Sequence, residues 1–135
     1  MNVTVSVIMI TYLHDKYIRE AIKGVINQQC NFKVELIIAD DNSPDQTETV
    51  VDNFLEESNI PQNIDVKYKK HTVNKGANQN YLWAANTGKG IYIANCEGDD
   101  YWTDPLKLQK QVDFLENNEE FSMCFTKANL LKNGK

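Results

Sequence analysis

The chain has 135 residues, with 14 Lys and Arg against 19 Asp and Glu, which gives a formal net charge of −5. This length predicts one domain, and the mildly acidic balance disfavours a protein that binds the phosphate backbone of nucleic acids. With 41% hydrophobic and 24% charged residues, the composition is that of a globular domain and excludes disorder as the main description.

The cysteines and the apolar runs indicate the compartment. The three cysteines, Cys30, Cys96 and Cys124, are odd in number and form no Cys-x-x-Cys pair, which argues against a disulfide framework or a zinc site. The longest apolar runs, residues 5–10 and 36–39, are far shorter than the roughly 20 residues of a membrane-spanning helix. The N-terminus also lacks the pattern of a signal peptide. We therefore expect a cytoplasmic domain with no membrane segment of its own.

Hydrophobic periodicity predicts four strands that alternate with four helices. The predicted strands are the apolar runs at residues 3–10, 34–39, 65–69 and 91–96. Apolar residues at helical spacing predict helices around residues 18–26, 50–55, 81–85 and 108–115. Four strand-then-helix units in succession predict an α/β fold with a doubly wound, mostly parallel sheet. Ligands bind beyond the carboxyl ends of such strands, so the loops after Ile10, Ala39 and Cys96 should meet at one edge.

Turn and cap residues give further local predictions. Ser43 or Asp45 is expected to cap the second helix, with Pro44 in its first turn. Residues 121–131 have the composition of a long strand, and Asn133-Gly134 is a hairpin-turn sequence after which only one residue follows. We therefore expect residues 1–135 to be a single domain that is truncated before its second half.

An acidic loop follows the fourth predicted strand. Glu97 and Asp99 flank Gly98, so both carboxylates should face a common region. Two such charges about 4 Å apart repel by roughly 1 kcal/mol in water and by about 4 kcal/mol at an effective dielectric constant of 20. A divalent cation such as Mg²⁺ or Mn²⁺, which prefers oxygen ligands and often bridges carboxylates to phosphates, would offset this repulsion. A solvated acidic turn before the next helix is the alternative, and the motif alone does not separate the two.

A second polar cluster, residues 40–43, follows the second predicted strand. Its Asp, Asn and Ser residues are ordinary turn formers. The predicted topology, however, places the cluster beside Thr11 and Tyr12. An aromatic ring can stack on a base, and a carboxylate can accept a hydrogen bond from a base imide. This juxtaposition predicts a nucleotide pocket.

Four sequence blocks span essentially the whole chain: residues 5–12 (VSVIMITY), 35–47 (ELIIADDNSPDQT), 74–80 (NKGANQN) and 90–100 (GIYIANCEGDD). In this order they resemble the N-terminal, nucleotide-sugar-binding half of a family 2 glycosyltransferase with the GT-A fold. The resemblance implies that Thr11, Tyr12 and Asp41 hold the base of a nucleoside diphosphate sugar, and a UDP-sugar is the expected donor. Lys75 and Asn80 are further candidates for contacts with the nucleotide, and the favoured alternatives are a solvated lysine and a helix-capping or packing asparagine.

The resemblance also implies a metal site at the Asp-x-Asp motif of the family, which corresponds here to residues 97–99. Asp99 would be a ligand of Mn²⁺ or Mg²⁺ together with Glu97, and Asp100 would lie near the sugar or order the loop. Glu97 stands where the family has Asp, and its longer side chain changes the reach of the carboxylate. Leu13 stands where Asn is common in the family.

The activity implied by the resemblance is an inverting, metal-dependent transfer of a sugar to a glycan, a lipid-linked acceptor or another hydroxyl, as in polysaccharide biosynthesis. The general base and the acceptor site would lie in the second half of the domain, outside this chain. Other parts of the protein could attach this domain to a membrane. A non-catalytic nucleotide-sugar-binding or assembly module is the alternative. A sugar nucleotidyltransferase is disfavoured because residues 11–16 lack the glycines of a phosphate loop.

The remaining candidate residues have structural interpretations. His14 and His71 lie on separate predicted loops without a Ser or Cys partner, and we expect both at the surface. Cys96 is expected to be a small buried residue at the end of a strand. Tyr101 and Trp102 could form a wall for a sugar or pack against the fourth helix.

Overall fold

The computed structural model describes residues 2–133. Its elements are β1 (Val3–Thr11), α1 (Ile18–Ile26), β2 (Lys33–Asp40), α2 (Thr47–Glu57), β3 (Ile64–Lys70), α3 (Ala77–Thr87), β4 (Tyr92–Asn95) and α4 (Lys107–Asn117). The strands form one sheet in the order β3-β2-β1-β4, and all three strand pairs are parallel. The predicted α/β fold with a parallel sheet is therefore confirmed.

The two central strands carry the strongest apolar runs of the sequence. β1 is buried from Val5 to Met9, and β2 is buried from Val34 to Asp40. A parallel strand with helices on both faces has no solvent side, so its sequence is continuously apolar instead of alternating. This is why β1 and β2 were the clearest strands to predict.

Helices cover both faces of the sheet. On one face, the apolar side of α1, with Ile18 and Ile22 among its members, packs against β1 and β2. On the other face, Ala84 of α3 packs against Ile8 and Ile37. Among residues 2–133, no helix combines the length and the apolar composition that crossing a membrane requires.

The direction of the connections changes at β1. The chain passes from β1 to β2 and β3 on one side and then returns to place β4 on the other side of β1. Where neighbouring strands have connections that run in opposite directions, their loops diverge and leave a crevice at the carboxyl ends. The fold thus positions a crevice beyond the ends of β1 and β4.

The entry to α2 differs from its prediction. The helix begins at Thr47, so Pro44 lies in the preceding loop and not in the first turn. Asp45 Oδ1 accepts hydrogen bonds from the Thr47 amide at 3.0 Å and the Thr47 hydroxyl at 2.6 Å. Ser43 Oγ accepts instead from the amide of Leu13, 3.1 Å away, and so joins two loops.

The predicted strand at residues 121–131 is wrong. These residues have irregular backbone, and large apolar side chains among them are exposed, with Phe125 at 90%. β-branched and aromatic content favours a strand only where a neighbouring strand satisfies its backbone groups, and no described strand pairs with this segment. The predicted turn at Asn133-Gly134 extends beyond the described residues.

A buried carboxylate connects three strands on the face that α3 covers. Glu35 on β2 is fully buried and accepts hydrogen bonds from Ser6 Oγ and Lys67 Nζ, each at 2.6 Å, and from the amide of Lys89. The amide of Gly90 donates in turn to Ser6 Oγ at 2.8 Å. Burial alone would raise the pKa of Glu35, but the hydrogen bonds from Lys67, Lys89 and Ser6 and the Lys67 charge outweigh it and lower the pKa.

Candidate functional site

A cavity of about 330 Å³ lies at the carboxyl ends of the strands. It is lined by residues from the end of β1, the start of α3 and the loops after all four strands: Ile10, Thr11, Tyr12, His14, Asp41, Asn74, Gly76, Ala77, Asn80 and Glu97. The structure therefore brings together five of the predicted site residues, namely Thr11, Tyr12, Asp41, Asn80 and Glu97. Lys75, Asp99 and Asp100 are not among the lining residues.

Asp41 joins three loops at the wall of this cavity. Its amide donates to the carbonyl of Thr11 at 3.0 Å. Its side chain, in a residue only 3% exposed, accepts from the amides of Lys75 at 2.7 Å and Gly76 at 2.9 Å. A carboxylate has about four acceptor positions, of which these two amides use two. Asp41 thus ties the loops together at the cavity wall.

Lys75 contacts Asp41 through its backbone. Its backbone amide holds the carboxylate, whereas its side chain is exposed outside the cavity lining. Gly76 follows with a φ of 83°, a conformation that glycine adopts without the steric cost of a side chain. This turn aims two successive amides at Asp41.

Asn80 forms a buried part of the cavity wall. Its Nδ2 donates to the carbonyl of Ala39 at 2.8 Å, and its Oδ1 lies 2.9 Å from His71 Nε2. Because the amide nitrogen already faces a carbonyl, Oδ1 is the acceptor and His71 Nε2 carries the proton. The prediction that His71 lies at the surface is wrong: it is buried and packs edge-on against Trp83, with ring centroids 4.7 Å apart.

Thr11, the last residue of β1, and Tyr12, which follows it, have opposite environments. Thr11 is buried, whereas Tyr12 is 42% exposed. The exposed ring of Tyr12 leaves a flat aromatic surface at the cavity mouth. Such a surface can stack on a base.

The acidic loop lies directly on the end of β1. The amides of Cys96 and Gly98 donate to the carbonyls of Ile8 and Ile10 at 3.1 Å and 3.0 Å, which extends the β1–β4 pairing beyond β4. A Cβ atom on Gly98 would lie 2.6 Å from Thr11 Oγ1 and 2.8 Å from His14 Nδ1. Position 98 therefore requires glycine because of this close approach.

Among the described residues, Glu97 and Asp99, the carboxylates on either side of Gly98, do not belong to a closed metal site. Glu97 lines the cavity, and Asp99 is exposed beside it. Within the part of the chain that the structure describes, no group of three or more His, Cys, Asp or Glu side chains is placed to hold a metal. Two oxygen donors, with phosphate and water left to complete the coordination, are the set that Mg²⁺ and Mn²⁺ commonly use.

Asp100 and Cys96 stabilise the turn of this loop. The amide of Asp100 donates to the carbonyl of Glu97 at 3.0 Å and closes the turn. Cys96 is buried, as predicted, and burial together with the negative charge of Asp100 raises the pKa of its thiol to about 12. The thiol of Cys96 therefore stays protonated and unreactive at neutral pH.

The structure gives the positions of three residues near the acidic loop: His14, Tyr101 and Trp102. His14 was expected at the surface and is partly buried: its side chain lines the cavity and is 20% exposed. Trp102 packs toward α1 and α4: its backbone approaches Gly24, and Lys107 Nζ lies 5.0 Å from its ring centroid. Tyr101 remains exposed.

Leu13 has a strained backbone next to the cavity. Its φ is 59°, in the left-handed region, and its amide donates to Ser43 Oγ. Residues other than Gly and Asn adopt this region at a cost of about 1–2 kcal/mol. Asn tolerates this region better than Leu and would adopt the same conformation at a lower cost.

We expect Leu13→Asn to raise the free energy of unfolding by about 0.5–1 kcal/mol, since it relieves backbone strain. Little packing is lost because Leu13 is 49% exposed. Urea denaturation followed by circular dichroism would measure the change. Leu13→Val is the matched control, and its β-branched side chain should lower stability. Equal or lower stability of Leu13→Asn would contradict the assigned strain.

Comparison with known proteins places this geometry in a family. The sequence profile of glycosyl transferase family 2 matches residues 6–133. The chain belongs to this family. An uncharacterized protein of Mycobacterium tuberculosis is 41% identical over 120 residues, which are 89% of this chain and 34% of that protein. The Escherichia coli glycosyltransferase WfaP, named as a UDP-Glc:alpha-D-GlcNAc-diphosphoundecaprenol beta-1,3-glucosyltransferase, is 32% identical over 87% of this chain and 43% of its own length.

Solved structures of glycosyltransferases share the fold. Staphylococcus aureus TarS 1-349 in complex with UDP superposes with a TM-score of 0.73 at 24% identity, over 86% of this chain and 33% of that one. The mannosyltransferase PcManGT of Pyrobaculum calidifontis, in complex with GDP-Man and Mn²⁺, gives 0.74 at 22% identity, over 85% and 33%. The family 2 chain described here thus spans about a third of the length of the mycobacterial relative and of these structures.

Proposed function

We propose that this chain is the donor-binding part of a glycosyltransferase that uses a nucleoside diphosphate sugar, with UDP as the nucleotide. The observation that carries the proposal is the single cavity shared by Tyr12 and Asp41 on one side and Glu97 of the acidic loop on the other. A nucleoside and a diphosphate need these two chemistries in one crevice. The complexes of TarS with UDP and of PcManGT with GDP-Man and Mn²⁺ support it by likeness of fold.

The nucleoside would bind between Tyr12 and Asp41. The exposed ring of Tyr12 offers a stacking surface, and the Asp41 carboxylate has acceptor positions left for the imide N–H of uracil. Because two backbone amides hold that carboxylate, it is already oriented before the base arrives. Thr11 and Asn80 complete the wall.

Glu97 and Asp99 would hold a divalent cation, Mn²⁺ or Mg²⁺, with Asp99 as the principal ligand. Such a cation supplies charge stabilisation for the departing diphosphate. Gly98 and the turn closed by Asp100 keep both carboxylates at the end of β1.

The transfer that we propose is inverting. An acceptor hydroxyl forms a bond to the anomeric carbon, the bond from that carbon to the diphosphate breaks, and the hydroxyl proton passes to a carboxylate base. The carboxylates that line the described cavity are Asp41 and Glu97, and both have other roles here. We therefore assign the base and the acceptor site to a part of the protein outside residues 1–135. The acceptor is a glycan or a lipid-linked sugar, a class to which the acceptor in the name of WfaP belongs.

Calorimetric titration of UDP, UDP-sugars and GDP, with and without Mn²⁺, would test the proposal. We expect UDP to bind more tightly with Mn²⁺, and Asp99→Asn to remove about tenfold or more of that metal-dependent affinity. Asp113→Asn removes the same charge from an exposed position on α4 outside the cavity and should bind like the wild type. Absence of binding to every nucleoside diphosphate would contradict the proposal and favour an assembly module.

A further inference from the structure

The side chain of His14 lies between the end of β1 and the acidic loop. Its Nδ1 is 3.0 Å from Thr11 Oγ1, and its Nε2 is 3.7 Å from Asp99 Oδ2. The proposed contacts with the base and the cation leave this histidine without a role. Its ring nevertheless connects the nucleoside wall to the carboxylate expected to bind the cation.

The backbone of His14 is fixed from two directions. Its amide donates to Thr47 Oγ1 at 3.2 Å, at the start of α2. Its carbonyl accepts from the amides of Tyr17 and Ile18, each at 2.9 Å, at the start of α1. A side chain on a backbone held by two helices is a rigid support for a neighbouring loop.

The acidic loop packs closely against the His14 side chain. Because Gly98 has no Cβ, its backbone can lie next to the Thr11 hydroxyl and the His14 ring. The hydrogen bond from the Gly98 amide to the Ile10 carbonyl fixes the register of the loop. Asp99, the next residue, is thereby placed beside Nε2 of His14.

The neighbours of the ring suit one of its two tautomers. A hydroxyl can donate or accept, whereas an ionised carboxylate only accepts. In that tautomer the Thr11 hydroxyl donates to Nδ1, and the Nε2–H lies on the side of Asp99, whose Oδ2 is 3.7 Å from Nε2. We infer that His14 is a positioning residue that orients the Asp99 carboxylate for the cation and so sets the metal-dependent part of nucleotide affinity. This inference rests on the proposed function.

The test compares the ratio of UDP affinities with and without Mn²⁺ in the wild type, His14→Phe and His14→Gln. We expect His14→Phe to reduce this ratio about tenfold, the effect typical of losing a partner of a metal ligand. A general defect of the cavity would weaken UDP binding equally with and without Mn²⁺ and would leave this ratio unchanged, so a fall in the ratio reports the cation alone. His14→Gln, whose amide nitrogen reaches about as far as Nε2, should restore most of the ratio.

A double-mutant cycle with Asp99→Asn shows whether His14 acts through Asp99. If it does, the double variant has the same ratio as Asp99→Asn alone. Losses that multiply, or a His14→Phe ratio equal to that of the wild type, would overturn the role of His14 while leaving the proposed function intact. A wild-type chain that binds no UDP under either condition would instead overturn the proposed function, and this inference with it.

Discussion

Replacing Asp41 with alanine should weaken UDP binding about thirtyfold. A hydrogen bond to a charged group contributes about 2 kcal/mol, which corresponds to that change in affinity. The same substitution leaves the amides of Lys75 and Gly76 without their acceptor, so the turn before α3 should loosen as well. We expect the free energy of unfolding to fall by about 2 kcal/mol. Calorimetry and urea denaturation would measure the two effects separately.

Two variants distinguish loss of the acceptor from loss of the fold. Asp41→Asn keeps the size of the side chain but places an amide NH₂ where the backbone amides or the base imide need an acceptor, so it should also bind UDP weakly. Asp52→Asn, at an exposed position of α2 outside the cavity, removes the same charge and should bind UDP like the wild type. Wild-type affinity in Asp41→Ala, measured on a folded chain, would exclude Asp41 from base recognition.

The second large effect concerns Glu35, on the same sheet but away from the cavity lining. Lys67→Met leaves the fully buried carboxylate without its cation and should lower the free energy of unfolding by about 3 kcal/mol. This value is at the lower end of the range for breaking a buried ion pair, because Lys67 is partly exposed. Glu35→Gln should also lower the free energy of unfolding. If its side-chain oxygen keeps the bonds from Ser6 and Lys89, its NH₂ group faces the Lys67 ammonium group. The double variant Glu35→Gln, Lys67→Met should recover much of the loss, because no unpaired charge remains buried. Purely additive losses in urea denaturation would contradict this account.

The stability that Glu35 provides should depend on pH in a defined direction. Its pKa is lowered in the folded chain, so its contribution is complete above the unfolded pKa of about 4.3 and is lost as the pH falls through the folded value. The difference in unfolding free energy between the wild type and Glu35→Gln should therefore be constant from neutral pH to about pH 5 and shrink in more acidic solution. A difference that grows on acidification would contradict the assignment.

Sequence alone predicted the helices and strands of the core because the information there is local. The apolar spacing of Ile18 to Ile26 and the continuous runs of β1 and β2 reflect burial directly. Their order along the chain then limited the topology to a parallel sheet. The segment 121–131 shows where this reasoning fails, since strand propensity does not say whether a partner strand exists.

The site was predictable where residue type and loop position sufficed. Tyr12, Asp41 and Glu97 line one cavity, as the order of the strands predicts for residues that follow parallel strands. The environments of His14 and His71 were not predictable, because they depend on contacts with Asp99 and Asn80 that no local pattern encodes. The sequence also did not show which residue, Ser43 or Asp45, accepts from the Thr47 amide. Asp45 does so, whereas the Ser43 hydroxyl accepts from the Leu13 amide of a distant loop.

The short β4 has a consequence for how the two ends of the cavity move. β4 has four residues and pairs, among the described strands, with β1 alone, whereas the strand that leads to Asp41 is held on both sides. Local opening costs least where few backbone hydrogen bonds must break, so the amides of the β4 segment should exchange with solvent much faster than those of β2. Under the proposed function, the end of the cavity that would hold the nucleoside should stay protected from hydrogen exchange in the free chain. We expect the amides of β4, at the end that would hold the diphosphate, to gain protection when UDP and Mn²⁺ bind.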